Sequence, residues 1–295
     1  MQERELEIAG GSLYYEKRQE HIVITRLQGL AGEVRVPEEV EGLPVTVIGK
    51  KAFLSKKNLR KVFLPESVKE IGDWAFAYCD GLMEVSMPHQ AIQFGRSVFL
   101  ECKSLKKLSF KGSEEQIPYL LAAAVTVLGA PYLLSITEAG SPEWLAKWDI
   151  RLLNVLRARD SEGYSKQVLC GEEDYGSTDF EAFLGEKRKH KVRLAFLRLL
   201  YPTGLSEEIK EELETYLREH TKGCESEETW QVVLHEHGND REYYQLFAEL
   251  SCIGEDKFQS IIADIGDDKT EMKAYFMRYK EEKIGYSDFF DALNL

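Results

Sequence analysis

Between residues 33 and 110 the chain repeats one order of apolar and polar positions. Residues 48–53 read IGKKAF, 71–76 read IGDWAF and 94–99 read FGRSVF, a spacing of 23 both times. The same register aligns Leu59, Leu82 and Leu105, then Val62, Val85 and Leu108, then Leu64, Met87 and Phe110, followed by Pro65 and Pro88. An earlier copy, EVRVPEEVEGLPVTVIGKKAF at 33–53, fits with five extra residues around GLPVT. The L-x-x-V-x-L-P order predicts a short strand, with Leu59, Val62 and Leu64 facing a core and the position between the last two facing outward. The apolar-Gly pair predicts a turn in which glycine supplies freedom of φ. The Phe that follows fills the opposite wall. A unit of this size cannot bury its apolar face alone, so the copies are expected to stack into a parallel-stranded solenoid.

NLRKVFLPESVKEIGDWAFAYCD, residues 58–80, resembles the leucine-rich repeat of the BspA-like bacterial surface proteins, in which LP, IG, AF and a Cys-like position recur in that order. Residues 81–103, GLMEVSMPHQAIQFGRSVFLECK, are a second copy, and the resemblance spans about residues 30–112. It implies a curved stack. Several members of that family are exported adhesins, which implies binding of host or matrix proteins. Cys79 and Cys102, 23 apart, fall in the family's core-facing column and are expected to be buried thiols.

The pattern ends at Lys111, where the two preceding copies carry Pro. An open stack would expose apolar side chains, so a cap is required. The uncharged segment 116–137 is long enough to span a bilayer, but Pro118, Gly129 and Pro131 interrupt it and its flanks are acidic. It is expected to be the cap, with a buried helix from Ile117 to Leu128. At the other end, LEIAGGSLYYE and HIVITRL read as a hairpin with a Gly10–Gly11 turn and a third strand.

Stacking in register places two outward columns side by side. Glu33, Lys61, Glu84 and Lys107 alternate in sign, as a self-neutralising ladder would. Arg35, Phe63, Ser86 and Ser109 set an aromatic among hydroxyls and form the candidate partner-binding column.

Beyond residue 140 the apolar period becomes helical. Ser206 caps a helix with Glu207 and Glu208 in its first turn and an apolar stripe at Ile209, Leu213, Tyr216 and Leu217. Phe258, Ile261, Ile262 and Ile265 repeat the stripe, as do Met272, Phe276 and Tyr279. Gly238, Gly254, Gly266 and Gly285 punctuate short helices that are expected to stack as helical hairpins. The fold class is therefore α+β, a short leucine-rich-repeat solenoid with an N-terminal hairpin cap over residues 1–115, then an all-α domain over 116–295.

Composition narrows the function. The net charge of −13 resides in residues 116–295, because residues 1–115 hold equal numbers of acidic and basic groups. The acidity argues against nucleic acid for the helical part, and in the repeats Glu33 and Glu84 of the ladder break any basic stripe that could bind it. Within the helical part, EKRKHKVR at 186–193 reads as a helix face that is solvated or internally paired, with an acidic protein or RNA as the alternatives. The His235, Glu236, His237, Asp240 group lacks the one-turn His spacing of a zinc site. His220 and Cys224 have no second pair to complete one. No phosphate-binding loop and no G-x-S-x-G elbow occur.

No catalytic residue, metal or cofactor is therefore assigned. The five cysteines, Cys170 among them, form an odd set without close pairs, and residues 1–11 carry charges where a secretory signal is apolar. The reading is a non-catalytic protein–protein interaction or scaffold protein of bacterial cytoplasm, without a membrane span. The alternatives are an exported or surface-associated adhesin binding host or matrix proteins, and an enzyme with its site at the domain junction.

Overall fold

A computed structural model describes residues 3–164, 179–253 and 255–284. Cys170, Gly254 and Gly285 lie outside the described residues. The chain divides into two compact units, residues 1–153 and 154–295.

The first unit opens with β1 (Arg4–Ile8), β2 (Gly11–Lys17) and β3 (Ile22–Gly29), an antiparallel meander. Ile8 pairs with Gly11, so the first turn is Ala9–Gly10, with Gly10 at φ 80°, one residue before the Gly10–Gly11 turn expected from sequence. Then follow β4 (Glu33–Arg35), β5 (Glu39–Val40) and β6 (Leu43–Ile48). Next come β7 (Lys61–Phe63), β8 (Glu70–Ile71), β9 (Glu84–Met87), β10 (Gln93–Phe94) and β11 (Lys107–Phe110).

Strands β4, β7, β9 and β11 form one parallel sheet, while β6, β8 and β10 form another that β3 joins in parallel. Each coil thus gives one strand to each sheet, and the chain winds as a solenoid. The five extra residues of the first copy make a small hairpin, in which β5 folds antiparallel on β6 through Glu41 and Gly42, at φ 52° and 73°. Positive φ at both central residues is what a type I′ turn requires.

Leu59, Val62, Ile71, Leu82, Val85 and Leu108 are fully buried between the sheets. Phe53, Phe76 and Phe99 stack on successive coils at 4.9 and 5.5 Å between ring centroids. Each such contact is worth about 0.5–1.5 kcal/mol beyond the burial of its area. Beside them runs a ladder of thiols: Cys79 Sγ donates to the Phe53 carbonyl at 2.9 Å, and Cys102 Sγ to the Phe76 carbonyl at 3.0 Å.

The glycine of each copy has a different role from the one the sequence suggests. Gly49, Gly72 and Gly95 are not in the left-handed region. A Cβ on Gly72 would lie 2.7 Å from the Lys50 amide nitrogen, and one on Gly95 would lie 2.4 Å from that of Asp73. Glycine is needed because neighbouring coils approach so closely, and not for freedom of φ. The left-handed positions fall on other residues of the same turns, Lys51, Trp74 and Ser97 at φ 61°, 55° and 51°, and Ser55, Tyr78 and Glu101 at φ 58°, 59° and 54°.

The stack is closed by α1 (Ile117–Thr126), which packs on β11 and buries Leu120, Leu121 and Ala124. Trp144 and Trp148 of α2 (Pro142–Arg157) donate their indole N–H groups to the carbonyls of Leu133 and Leu120 at 2.9 and 3.0 Å. These bonds tie α2 to α1 and to the segment that follows it. No described helix is long and apolar enough to cross a membrane.

The second unit contains α3 (Phe180–Leu200), α4 (Glu207–Glu219), α5 (Glu228–Glu236), α6 (Arg241–Glu249), α7 (Glu255–Ile265) and α8 (Thr270–Tyr279). Asp179 and Ser206 cap α3 and α4 with their side chains. Helix α3 packs against α4, α5 and α6, and α8 packs against α6 and α7. Trp230, Phe247 and Phe276 cluster in the core.

Replacing Gly72 with Ala is expected to destabilise the first unit by about 1–3 kcal/mol, because the added carbon must push two coils apart. Urea unfolding of the full chain checks this, and an unchanged midpoint would contradict so close an approach.

Candidate functional site

The exposed face of the β4–β7–β9–β11 sheet is in strict register. Glu33, Lys61, Glu84 and Lys107 stand opposite one another, as do Arg35, Phe63, Ser86 and Ser109. The buried column between them is Val34, Val62, Val85 and Leu108. Alternation along each strand puts the two polar columns outside because the branched apolar column faces in.

The side chains refine both columns. The Arg35 guanidinium lies 3.7 Å over the Phe63 ring, so the aromatic of the candidate site is covered on one face by a cation. Such a contact is worth about 0.5–1 kcal/mol at an exposed site. Arg35 also pairs with Glu33 of its own strand at 3.0 Å, leaving Lys61 to pair with Glu84 at 3.5 Å. Ser109 donates to Glu84 at 3.1 Å. Glu84 therefore ties the two columns together. At the end of the sheet, the Lys107 ammonium sits 5.5 Å above the Tyr119 ring of the capping helix. This column of the strand face therefore carries one aromatic, a guanidinium over it and two hydroxyls.

The other sequence candidates resolve separately. In the basic run 186–193, Lys191 is buried and donates to Asp160 at 2.7 Å and to the Ala158 carbonyl at 2.6 Å. Arg188 meets Asp160 at 3.1 Å, and Arg193 meets Glu236 twice at 2.7 Å. Burial acts to raise the Asp160 carboxyl, but the bonds from Lys191 and Arg188 outweigh it and hold the group below its ordinary range. Lys189 meets Glu186 at 3.5 Å, so four of the run's five lysines and arginines pair with carboxylates, while Lys187 lies over the Phe183 ring at 5.3 Å.

His237 takes Asp240 at 2.8 Å and stacks on Tyr243, while Glu236 is held by Arg193. His220 Nδ1 contacts the Tyr216 carbonyl at 2.8 Å. Among the described residues, no group of three or more His, Cys, Asp or Glu side chains is placed to hold a metal ion. An open groove along α4 is lined by Arg157, Glu208, Glu211, Glu212 and Tyr216 among others, and Arg157 grips Glu212 through two hydrogen bonds.

Residues 39–122 match the model of the BspA type leucine-rich repeat region, in six copies. This part of the chain is a BspA-type leucine-rich repeat region. The match begins at the small β5–β6 hairpin and runs into α1, so it extends past the repeats legible by spacing. No curated protein matches the chain.

Among solved structures, a leucine-rich repeat protein of T. pallidum is 31% identical over 36% of this chain and 50% of that one, with a TM-score of 0.33. A leucine-rich cell surface protein of Faecalibacterium prausnitzii is 24% identical over 36% and 30%, with a TM-score of 0.31. A leucine-rich repeat protein of Bacteroides ovatus is 25% identical over 35% and 28%, also with a TM-score of 0.31. The matched part thus spans half or less of the length of these proteins.

The thiols of the repeat are free and buried. Burial pushes the Cys79 thiol up to about 11 and the Cys102 thiol up to about 12, and Cys252 in the helical unit is likewise raised to about 11. Since only thiolate attacks an alkylating reagent, at about pH 8 these groups present ~0.1% or less in reactive form. Iodoacetamide is expected to modify the partly exposed Cys224 in the folded protein and to spare Cys79, Cys102 and Cys252 until denaturant is added. Peptide mapping by mass spectrometry reads this out, and rapid labelling of Cys79 would show that the coils open.

Proposed function

We propose that the chain is a non-catalytic protein–protein interaction protein of the bacterial cytoplasm, with the column Arg35, Phe63, Ser86 and Ser109 as its partner-binding face. One observation carries this reading. Parallel strands in register hold an aromatic, a guanidinium and two hydroxyls on a rigid exposed face, and rigid placement lowers the entropy cost of association. BspA-type repeats support the interaction role. The pairing of four of the five cations in the basic run with carboxylates supports a role without nucleic acid. The repeat type also favours a second reading, an exported or surface-associated adhesin, and fractionation of producing cells separates the two: a chain found mainly with the cell surface would reverse their order.

Phe63→Ala is expected to cost no more than about 1.5 kcal/mol of stability, since the ring is only half-buried under Arg35. It is expected to reduce, reproducibly, the protein that the full chain retains from a cytosolic extract. Unchanged retention by a folded Phe63→Ala variant would remove this face from the site, and global unfolding would show that Phe63 belongs to the core.

A further inference from the structure

The turns of the solenoid run along two opposite edges. On the edge leading from β6, β8 and β10 into β7, β9 and β11 (residues 49–60, 72–83 and 95–106), eight lysines and arginines stand against three carboxylates. The opposite turns, residues 37–42, 65–69 and 88–92, hold one lysine against four glutamates. The repeat region is neutral in sum but polarised across its width.

Trp74 lies on the basic edge. The ammonium groups of Lys50 and Lys51 and the Arg96 guanidinium lie 5.1, 5.5 and 5.7 Å from its ring centroid. Asp73 fixes Arg96 there by accepting from its backbone N–H at 2.8 Å and from its guanidinium at 3.2 Å. Trp144, Trp148 and Trp230 are buried, so Trp74 alone of the four tryptophans is open to solvent. Its backbone is left-handed, a region that disfavours bulky side chains, and the adjoining coils carry Lys51 and Ser97 in the same column. Packing therefore does not demand an indole at this place.

We propose that Trp74, Lys50, Lys51 and Arg96 bind an acidic segment of a partner polypeptide along this turn edge. The proposal rests on the interaction reading above but adds a second surface and the chemistry of what it takes. Carboxylates complement the three cations, and the indole supplies apolar contact for the backbone or side chain between them. Nucleic acid fits less well, because cations crowd the ring on which a base would stack.

The test is fluorescence anisotropy of a labelled oligo-glutamate peptide titrated with the full chain at low ionic strength. Saturable binding that weakens with added salt is expected. Trp74→Ser and the double variant Lys50→Ser/Lys51→Ser are each expected to weaken it by about fivefold or more. Phe63→Ala is expected to bind the peptide as the parent does, so a failure of the strand face and a failure of this edge can be told apart. Iodide is expected to quench the native tryptophan emission more than caesium does, with the peptide protecting against it. Should Trp74→Ser not fold, the lysine variant decides. Absence of binding, equal binding by the folded variants, or displacement of the peptide by a single-stranded oligonucleotide at lower concentration would each overturn the proposal.

Discussion

Everything in the repeat unit depends on how closely one coil lies on the next. At Gly72 and Gly95 the backbone of one turn approaches the amide of its neighbour so nearly that a single Cβ does not fit. That approach brings the phenylalanines of successive coils into face-to-face contact and lets each thiol reach the carbonyl of the coil before it. It also locks the strands in register, since a slip by one residue would turn every apolar side chain outward. The outward columns are consequences of that lock. Arg35 meets Phe63, and Glu84 reaches Lys61 and Ser109, only because their strands cannot shift.

A stack held in this way has two open ends, and each is closed differently. The N-terminal meander extends one sheet with antiparallel strands, and Glu41 of the β5–β6 turn binds Arg4, Tyr15 and Lys17 across it. Arg4 and Lys17, with the Tyr15 hydroxyl, hold the Glu41 carboxyl down to about 2, so this clasp stays charged well into acid. At the other end, α1 lies on the last strand and two indoles of α2 anchor the region around it. What stays open is the strand face and the turn edges. These differ in character, one mixed in charge around a covered aromatic, the other basic around a tryptophan.

Much of this was legible in the residues. The 23-residue period assigned Leu59, Val62, Leu64 and their equivalents to the core, placed both outward columns, and showed that something apolar must follow Lys111. Ser206 announced the helix it caps. What the period could not show is distance between coils. It marks a glycine as recurrent without saying whether φ or space requires it, and it marks Lys51, Trp74 and Ser97 as variable when they share an unusual backbone. Pairings across long separations were equally hidden: Lys191 finds Asp160 over 31 residues, and Trp148 finds Leu120 over 28. The basic edge escaped notice because its cations lie in turns, whereas attention to the strand columns meets only alternating charges.

Hydrogen exchange of the native chain, followed by mass spectrometry, tests the stacking most directly. The amides of Phe53, Gly72, Phe76 and Gly95 donate to carbonyls of adjoining coils at 2.7–3.0 Å. If the coils are one closed stack with capped ends, these amides are expected to exchange together, with a common protection from β3 through β11. Early, independent exchange of residues 94–110 while residues 45–76 stay protected would contradict it, because the last coil would then be an uncapped end and not part of a single unit.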